Sequence, residues 1–198
     1  KIKLLETFQI DERKIKVIHP GVDAARLQSG NSSNRQEIRH AFGIPESDLL
    51  ILFVGMNFEV KGLDSLLSAI ALLKSEYDND QVKVLVVGKG NNKKYKALAH
   101  KLGIGEQLIF SGVRNDIERI YQAGDILVML SKFDTFGMVV TEAMAASLPV
   151  IISDNVGAKD LVIQGENGFV VNREDIEMIG SKINLMLNKE NRLEMGKK

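Results

Sequence analysis

Two carboxylates, Asp134 and Glu142, are separated by seven residues, and Gly137 lies between them. The apolar run from Ile126 to Leu130 precedes them and has the pattern of a buried parallel strand. The Ala-rich segment after Gly137 has the pattern of a helix. A strand, a glycine loop and a helix start form an ordinary anion site, because unpaired N–H groups at a helix N-terminus point at the anion. The glycine lets the main chain approach closely. The spacing therefore predicts a phosphate site.

Glu142 falls within the first turns of this predicted helix, near the mouth of the phosphate site. A carboxylate is poorly suited to phosphate, but it accepts hydrogen bonds well from a ribose diol. Residues 134–150, DTFGMVVTEAMAASLPV, therefore contain the parts of a nucleotide site. The alternative interpretation is an ordinary strand-to-helix turn with two solvated acids.

This segment resembles the E-x7-E signature of retaining glycosyltransferases of family 4, with Asp134 where the first glutamate usually stands. In that family the first acid contacts the donor sugar, the second binds the ribose, and the loop between them holds the diphosphate. The resemblance implies that Asp134 orients the sugar, which is a positioning role, and that Glu142 binds the ribose. The implied diphosphate loop comprises Phe136, Gly137, Met138 and Val139.

Other predicted strands end at Gly55, Gly88 and Gly112, and ligands of doubly wound sheets bind at such strand ends. The loop after Gly55, GMNFEVKGLD, contains Asn57 as a candidate donor contact and Lys61 as a candidate catalytic cation. A lysine can reach a diphosphate as a compact point charge. The family often pairs this lysine with an arginine, which is missing here.

The segment VVGKG, residues 86–90, has two glycines of the dinucleotide fingerprint without the third, so it is weak support for a dehydrogenase. In the family, this loop borders the nucleotide and the segment FSGVRND lies against the base. Val113 and Arg114 are therefore candidate base contacts, and Arg114 fits a surface charge equally well. The three histidines have no metal-ligand spacing, and neither a metal nor a cofactor is expected.

Apolar runs alternate with helical patterns along most of the chain. The strands are predicted at residues 49–55, 83–88, 107–112, 125–130, 149–153 and 168–171. Helices are predicted at residues 62–77, 93–102, 116–123, 138–147 and 174–188. This alternation indicates an α/β fold with a doubly wound, Rossmann-like parallel sheet at residues 44–198. Residues 1–43 are interpreted as an entry segment, with a short strand at residues 14–18 and a short helix at residues 37–42.

Composition excludes several classes of protein. The 198 residues are 44% hydrophobic and carry 26 basic and 26 acidic side chains, which gives no electrostatic footprint for duplex nucleic acid or an anionic membrane. No apolar run approaches the length of a membrane span. The chain has no cysteine, which excludes disulfides and thiolate chemistry. A cytoplasmic location is expected, with contact to the inner face of the membrane through another part of the protein.

The resemblance implies one lobe of a two-lobed GT-B enzyme. The expected reaction transfers a sugar from a nucleoside diphosphate, UDP rather than GDP, to a glycan or glycolipid acceptor, with retention of configuration. The implied setting is lipopolysaccharide or capsular polysaccharide synthesis. The chain begins at Lys1 without a methionine and is interpreted as part of something longer. The resemblance implies an N-terminal acceptor lobe outside this chain. A GT-B sugar-nucleotide epimerase and a non-catalytic α/β nucleotide-binding domain are the alternatives.

Overall fold

The computed structural model describes residues 7–8, 11–16, 18–28, 32–77 and 80–197. Its strands are β1 (Leu49–Val54), β2 (Val82–Val87), β3 (Leu108–Gly112), β4 (Ile126–Met129), β5 (Val150–Ser153) and β6 (Gly168–Val171). They form a six-stranded sheet in the order β3-β2-β1-β4-β5-β6, and all neighbouring pairs are parallel. This is the strand order of a Rossmann-like fold, so the predicted fold class is confirmed.

Helices cover both faces of the sheet. They are α1 (Ala24–Gln28), α2 (Ser32–Ala41), α3 (Leu63–Tyr77), α4 (Asn92–Lys101), α5 (Ile117–Ala123), α6 (Met138–Ala145), α7 (Ile176–Leu185) and α8 (Lys189–Gly196). Side chains of β1 alternate between two apolar cores, because successive residues of a strand point to opposite faces. Leu49, Ile51 and Phe53 pack with α3, α4 and α7, whereas Leu50 and Leu52 pack with α1, α2, α5 and α6.

The strand order reverses between β1 and β4, which are neighbours in the sheet. In open α/β sheets, ligands bind in the crevice at this reversal, beyond the carboxyl ends of the strands. The loop after β1 and the loop after β4 therefore lie side by side. These are the loops that contain Lys61 and Asp134.

The N-terminal part of the chain differs from the prediction. The expected strand at residues 14–18 is wrong for the described positions, because Lys14 ends a 3-10 turn and Ile15, Lys16 and Ile18 belong to no strand. Val17 lies outside the described residues. A short apolar run forms a strand only where a neighbouring strand supplies hydrogen bonds. The helix predicted at residues 37–42 is longer and begins at Ser32.

Helices α1 and α2 pack against the sheet domain through Leu27 and Ile38, which are buried in the same core as α5 and α6. The packed body therefore includes residues on both sides of the boundary predicted at residue 43, and that boundary remains a prediction. Helix α8 was not predicted. The sequence of this helix has no clear apolar face, and its Leu193 is exposed.

Arg39 fixes α2 to the base of the sheet, and its side chain is 1% exposed. Its Nη1 donates to Ala123 O and Asp125 Oδ2, each at 3.2 Å. Its Nη2 donates to the backbone carbonyl oxygens of Pro45 and Asp48. Asp125 Oδ2 also accepts a hydrogen bond of 2.7 Å from the N–H of Leu50. One guanidinium therefore connects a helix with the starts of two central strands.

Candidate functional site

Lys61 and Asp134 meet across the strand-order reversal. Lys61 Nζ forms an ion pair with Asp134 Oδ2, and the two side chains are 21% and 16% exposed. Asp134 Oδ1 accepts a second hydrogen bond, of 3.1 Å, from the N–H of Phe136. Both carboxylate oxygens are therefore engaged. The two residues predicted to have separate catalytic roles are direct partners in the structure.

The conformation of the loop after β1 places the Lys61 side chain against Asp134. Asn57 adopts a left-handed conformation with φ of 56°, which asparagine tolerates better than most residues. The Asn57 carbonyl accepts a hydrogen bond of 3.2 Å from the Lys61 N–H, and the Asn57 N–H donates to Lys89 O at 3.1 Å. Asn57, which was predicted to contact the nucleotide-sugar donor, thus forms the turn that precedes Lys61.

Gly88 has a related role in packing. A Cβ atom at this position would lie 2.0 Å from the carbonyl oxygen of Gly55, so a larger residue would displace the end of β1. The neighbouring N–H of Gly55 donates to Val87 O at 2.9 Å. Gly88 therefore allows the ends of β1 and β2 to approach closely, directly below the candidate site.

Helix α6 begins at the candidate phosphate cradle, which is the loop and helix start at residues 136–139. Gly137 is its N-cap with φ of 89°, and no side chain caps the helix start. The Val140 N–H donates to Gly137 O, while the N–H groups of the first helical residues have no partner within a helix. Positive partial charge at a helix N-terminus favours anions. A cavity of about 400 Å³ opens here, and its wall includes Gly55, Lys61, Asp134, Phe136, Gly137 and Val139.

The loop between β4 and α6 is held by the loop after β5. The N–H of Asp134 donates to Asn155 O, and the N–H of Gly157 donates to Asp134 O, each at 3.1 Å. The N–H of Ala158 donates to Phe136 O at 2.7 Å. The segment around Gly157 therefore positions the cradle through backbone hydrogen bonds. His19 stacks on the Phe136 ring, with centroids 5.4 Å apart.

Glu142 lies one turn further along α6 and has a partner that the sequence did not reveal. The Tyr121 hydroxyl of α5 donates a hydrogen bond of 2.6 Å to Glu142 Oε2. Burial of Tyr121 and the adjacent carboxylate raise the pKa of its phenol far above the ordinary value, so the hydroxyl keeps its proton. Glu142 and Met138 also line a second cavity, of about 230 Å³, formed with the segment Gly21–Asp23.

Val113 and Arg114 lie away from the 400 Å³ cavity. Val113 is 66% exposed at the end of β3. The Arg114 guanidinium forms two hydrogen bonds with Asp116, of 2.8 and 2.6 Å. This pairing raises the pKa of Arg114 and lowers the pKa of Asp116. The Arg114 side chain is thus engaged with its neighbour, which leaves backbone groups as the candidate base contacts.

We expect the substitution Gly137→Ala to weaken nucleotide binding. An alanine would adopt a left-handed conformation at a cost of about 1–2 kcal/mol, and its Cβ would lie 2.8 Å from Val156 Cγ1. Relief of this contact would move the start of α6 and its amides. The matched control is Gly165→Ala, which has φ of 77° but no atom within 4 Å of the added Cβ. Both variants should unfold more easily, and Gly137→Ala alone should lose nucleotide affinity by calorimetry.

In the described ranges, no three carboxylate or imidazole side chains come together in a way that could hold a metal ion. None of the helices within those ranges has the length and apolar character needed to cross a membrane.

Two known glycosyltransferases illustrate the sequence similarity of this chain to other proteins. The D-inositol 3-phosphate glycosyltransferase of Corynebacterium urealyticum is 32% identical over 178 residues, which cover 86% of this chain and 42% of that protein. The lipopolysaccharide glucosyltransferase WaaG of Escherichia coli is 31% identical over 165 residues, which cover 83% and 44%. The chain thus spans less than half the length of both relatives.

Solved structures show the same architecture. The crystal structure of WaaG superposes with a TM-score of 0.86 at 26% identity, covering 99% of this chain and 54% of WaaG. The crystal structure of Anabaena HepE in complex with UDP-glucose gives a TM-score of 0.81 at 25% identity, covering 91% and 50%. WaaG is a glycosyltransferase involved in lipopolysaccharide biosynthesis, and the HepE structure contains UDP-glucose.

The family comparison covers the sheet, the loops and the candidate site together. Residues 34–198 match the family described as Glycosyl transferases group 1. This range includes Lys61, Asp134 and Glu142 and extends back into α2, which is consistent with the packing of α2 on the domain. The chain therefore belongs to the group 1 glycosyl transferases.

Proposed function

We propose that this chain is the donor-binding lobe of a retaining glycosyltransferase of family 4. Its donor is a nucleoside-diphosphate sugar, with UDP favoured over GDP, and the sugar passes to an acceptor hydroxyl in lipopolysaccharide or cell-surface polysaccharide synthesis. The observation that carries the proposal is the cradle itself. A partly buried lysine, a glycine-capped helix start and Asp134 surround one cavity at the strand-order reversal, and Glu142 lines a second cavity that shares Met138 with it.

The diphosphate lies between Lys61 and the N-terminus of α6. Negative charge increases on the diphosphate as the bond to the sugar breaks, and fixed donors stabilise that charge without reorganisation. Met138 and Val139 contribute backbone N–H groups, and Lys61 contributes a point charge. Asp134 accepts hydrogen bonds from sugar hydroxyls and orients the sugar. Glu142 accepts hydrogen bonds from the ribose.

The complex of HepE with UDP-glucose supports uridine as the base, and the similarity to WaaG supports a lipopolysaccharide acceptor. The acceptor binds through an N-terminal lobe, which also makes peripheral contact with the inner face of the membrane. The enzyme acts in the cytoplasm. This chain alone binds its nucleotide weakly and transfers sugar negligibly, because the second lobe supplies part of the catalytic surface.

Calorimetry with UDP, GDP and ADP tests the ribose assignment. We expect the wild-type chain to bind UDP most tightly, and Glu142→Ala to lose about 1.5–3 kcal/mol per hydrogen bond of binding free energy. The control is Glu177→Ala, which removes an exposed carboxylate from the first turn of α7, on the opposite face of the sheet. Equal UDP affinity in Glu142→Ala and wild type would refute the role of Glu142.

A separate experiment tests the reaction class. The full-length protein, incubated with UDP-sugar and a lipopolysaccharide-core acceptor, should release UDP and extend the acceptor. With the donor alone, an epimerase would change the sugar configuration, whereas a transferase would leave it unchanged. Conversion of the donor to an epimer without an acceptor would overturn the proposed function.

A further inference from the structure

Tyr121 is buried between α5 and α6 and makes one short hydrogen bond. Its exposed fraction is 0%, and its hydroxyl lies 2.6 Å from Glu142 Oε2. The other nearby acceptor, Val139 O, is 3.5 Å away, which is too long to compete for the single hydroxyl proton. A carboxylate can only accept, so the phenol is the donor. The bond therefore connects a helix outside the cradle with the carboxylate at the cradle's edge.

This bond restricts the Glu142 side chain. A glutamate on a helix surface samples several rotamers, and it loses that freedom when it binds a ligand. Here the restriction is present before the ligand arrives. An ionised carboxylate has about four lone-pair sites, and the Tyr121 hydroxyl occupies one of them. The remaining acceptor sites belong to a side chain that lines the 230 Å³ cavity beside Met138.

We propose that Tyr121 is a positioning residue that holds the Glu142 carboxylate in the orientation that selects ribose over 2′-deoxyribose. The inference depends on the proposed function, because it assigns the ribose to Glu142. Tyr121 touches no ligand itself. It acts by fixing the direction of the acceptor oxygens, so that both hydroxyls of a ribose diol find partners without a rearrangement of the side chain.

The test variant is Tyr121→Phe, which keeps the buried ring and removes its hydroxyl. The chain offers a matched control in Tyr95, which is 1% exposed and whose hydroxyl has no hydrogen-bond partner within the described residues. Tyr95→Phe removes a phenol oxygen from an equally buried site on the other face of the sheet. Any general effect of losing a buried hydroxyl should appear in both variants.

Calorimetry with UDP and 2′-deoxy-UDP measures the effect. We expect the wild-type chain to prefer UDP by about tenfold or more. Tyr121→Phe should lose about tenfold in UDP affinity and little in 2′-deoxy-UDP affinity, so the preference falls. Tyr95→Phe should keep the wild-type preference. In a Glu142→Ala background, Tyr121→Phe should have no further effect on UDP binding, because residues that act through one another are not additive.

Two results would overturn the inference while leaving the proposed function intact. One is that Tyr121→Phe still binds UDP and keeps the wild-type preference for UDP over 2′-deoxy-UDP. Equal losses of affinity for both nucleotides would count as this result, because a merely structural role of Tyr121 would produce them. The other is full additivity with Glu142→Ala. Failure of the full-length wild-type protein to bind UDP would instead refute the proposed function, and the role of Tyr121 with it.

Discussion

Replacing Lys61 by alanine in the full-length protein should lower the turnover number of sugar transfer by about 100-fold to 1,000-fold. The loss has two causes. The departing diphosphate loses its point charge, and Asp134 loses its ion-pair partner and is left as a carboxylate beside an anion. Initial-rate kinetics with saturating donor measure the effect on turnover. UDP affinity should also fall, because the uncompensated carboxylate repels the diphosphate.

The control for this substitution is Lys132→Ala, which removes the same charge nearby. Lys132 is exposed and lies 3.4 Å from Glu59 rather than in the cradle, so its loss should leave turnover near the wild-type rate. The double variant Lys61→Ala/Asp134→Asn separates the two causes. It should recover part of the UDP affinity but not the turnover. Near-normal transfer by Lys61→Ala would exclude Lys61 from catalysis.

Arg39→Met should lower the free energy of unfolding by about 3–5 kcal/mol. The substitution removes the donors of four hydrogen bonds at a site that is 1% exposed. Asp125 keeps its ion pair with Arg35 at 3.0 Å, whereas the Pro45 and Asp48 carbonyls lose the Arg39 donor. Urea denaturation measures the change.

Arg13→Met is the corresponding surface control. Arg13 forms an ion pair with Asp11, but its side chain is 90% exposed, and exposed ion pairs contribute little to stability. Its unfolding midpoint should stay close to that of the wild type. If Arg39→Met and Arg13→Met unfold at the same urea concentration, the buried arginine does not anchor α2 as we infer.

The sequence predicted the sheet well because its strands are continuous apolar runs, which occur where helices cover both faces. The place of the loop from Asp134 to Val139 between a strand and a helix was also predictable, because a glycine between an apolar run and a helical pattern marks a turn. The direct pairing of Lys61 with Asp134 could not be predicted. These residues are 73 positions apart, and their contact depends on the strand order.

Tyr121 was missed for a related reason. A tyrosine in a short helix signals burial, and a buried hydroxyl needs a partner, but the identity of that partner depends on how α5 packs against α6. Asn57 was predicted as a contact to the nucleotide-sugar donor because it lies in the loop after the strand that ends at Gly55. Its left-handed backbone, which forms the turn before Lys61, has only a weak local signal.

The Lys61–Asp134 ion pair has a consequence for the order of events in turnover. Under the proposed function, an incoming nucleotide sugar separates the pair and gives each member a new partner, phosphate for the ammonium and hydroxyls for the carboxylate. The spent nucleotide after transfer no longer carries the sugar, so Asp134 has no substitute and competes to recapture the lysine. Re-formation of the Lys61–Asp134 ion pair thus favours release of the nucleotide product, after which the site can bind the next donor.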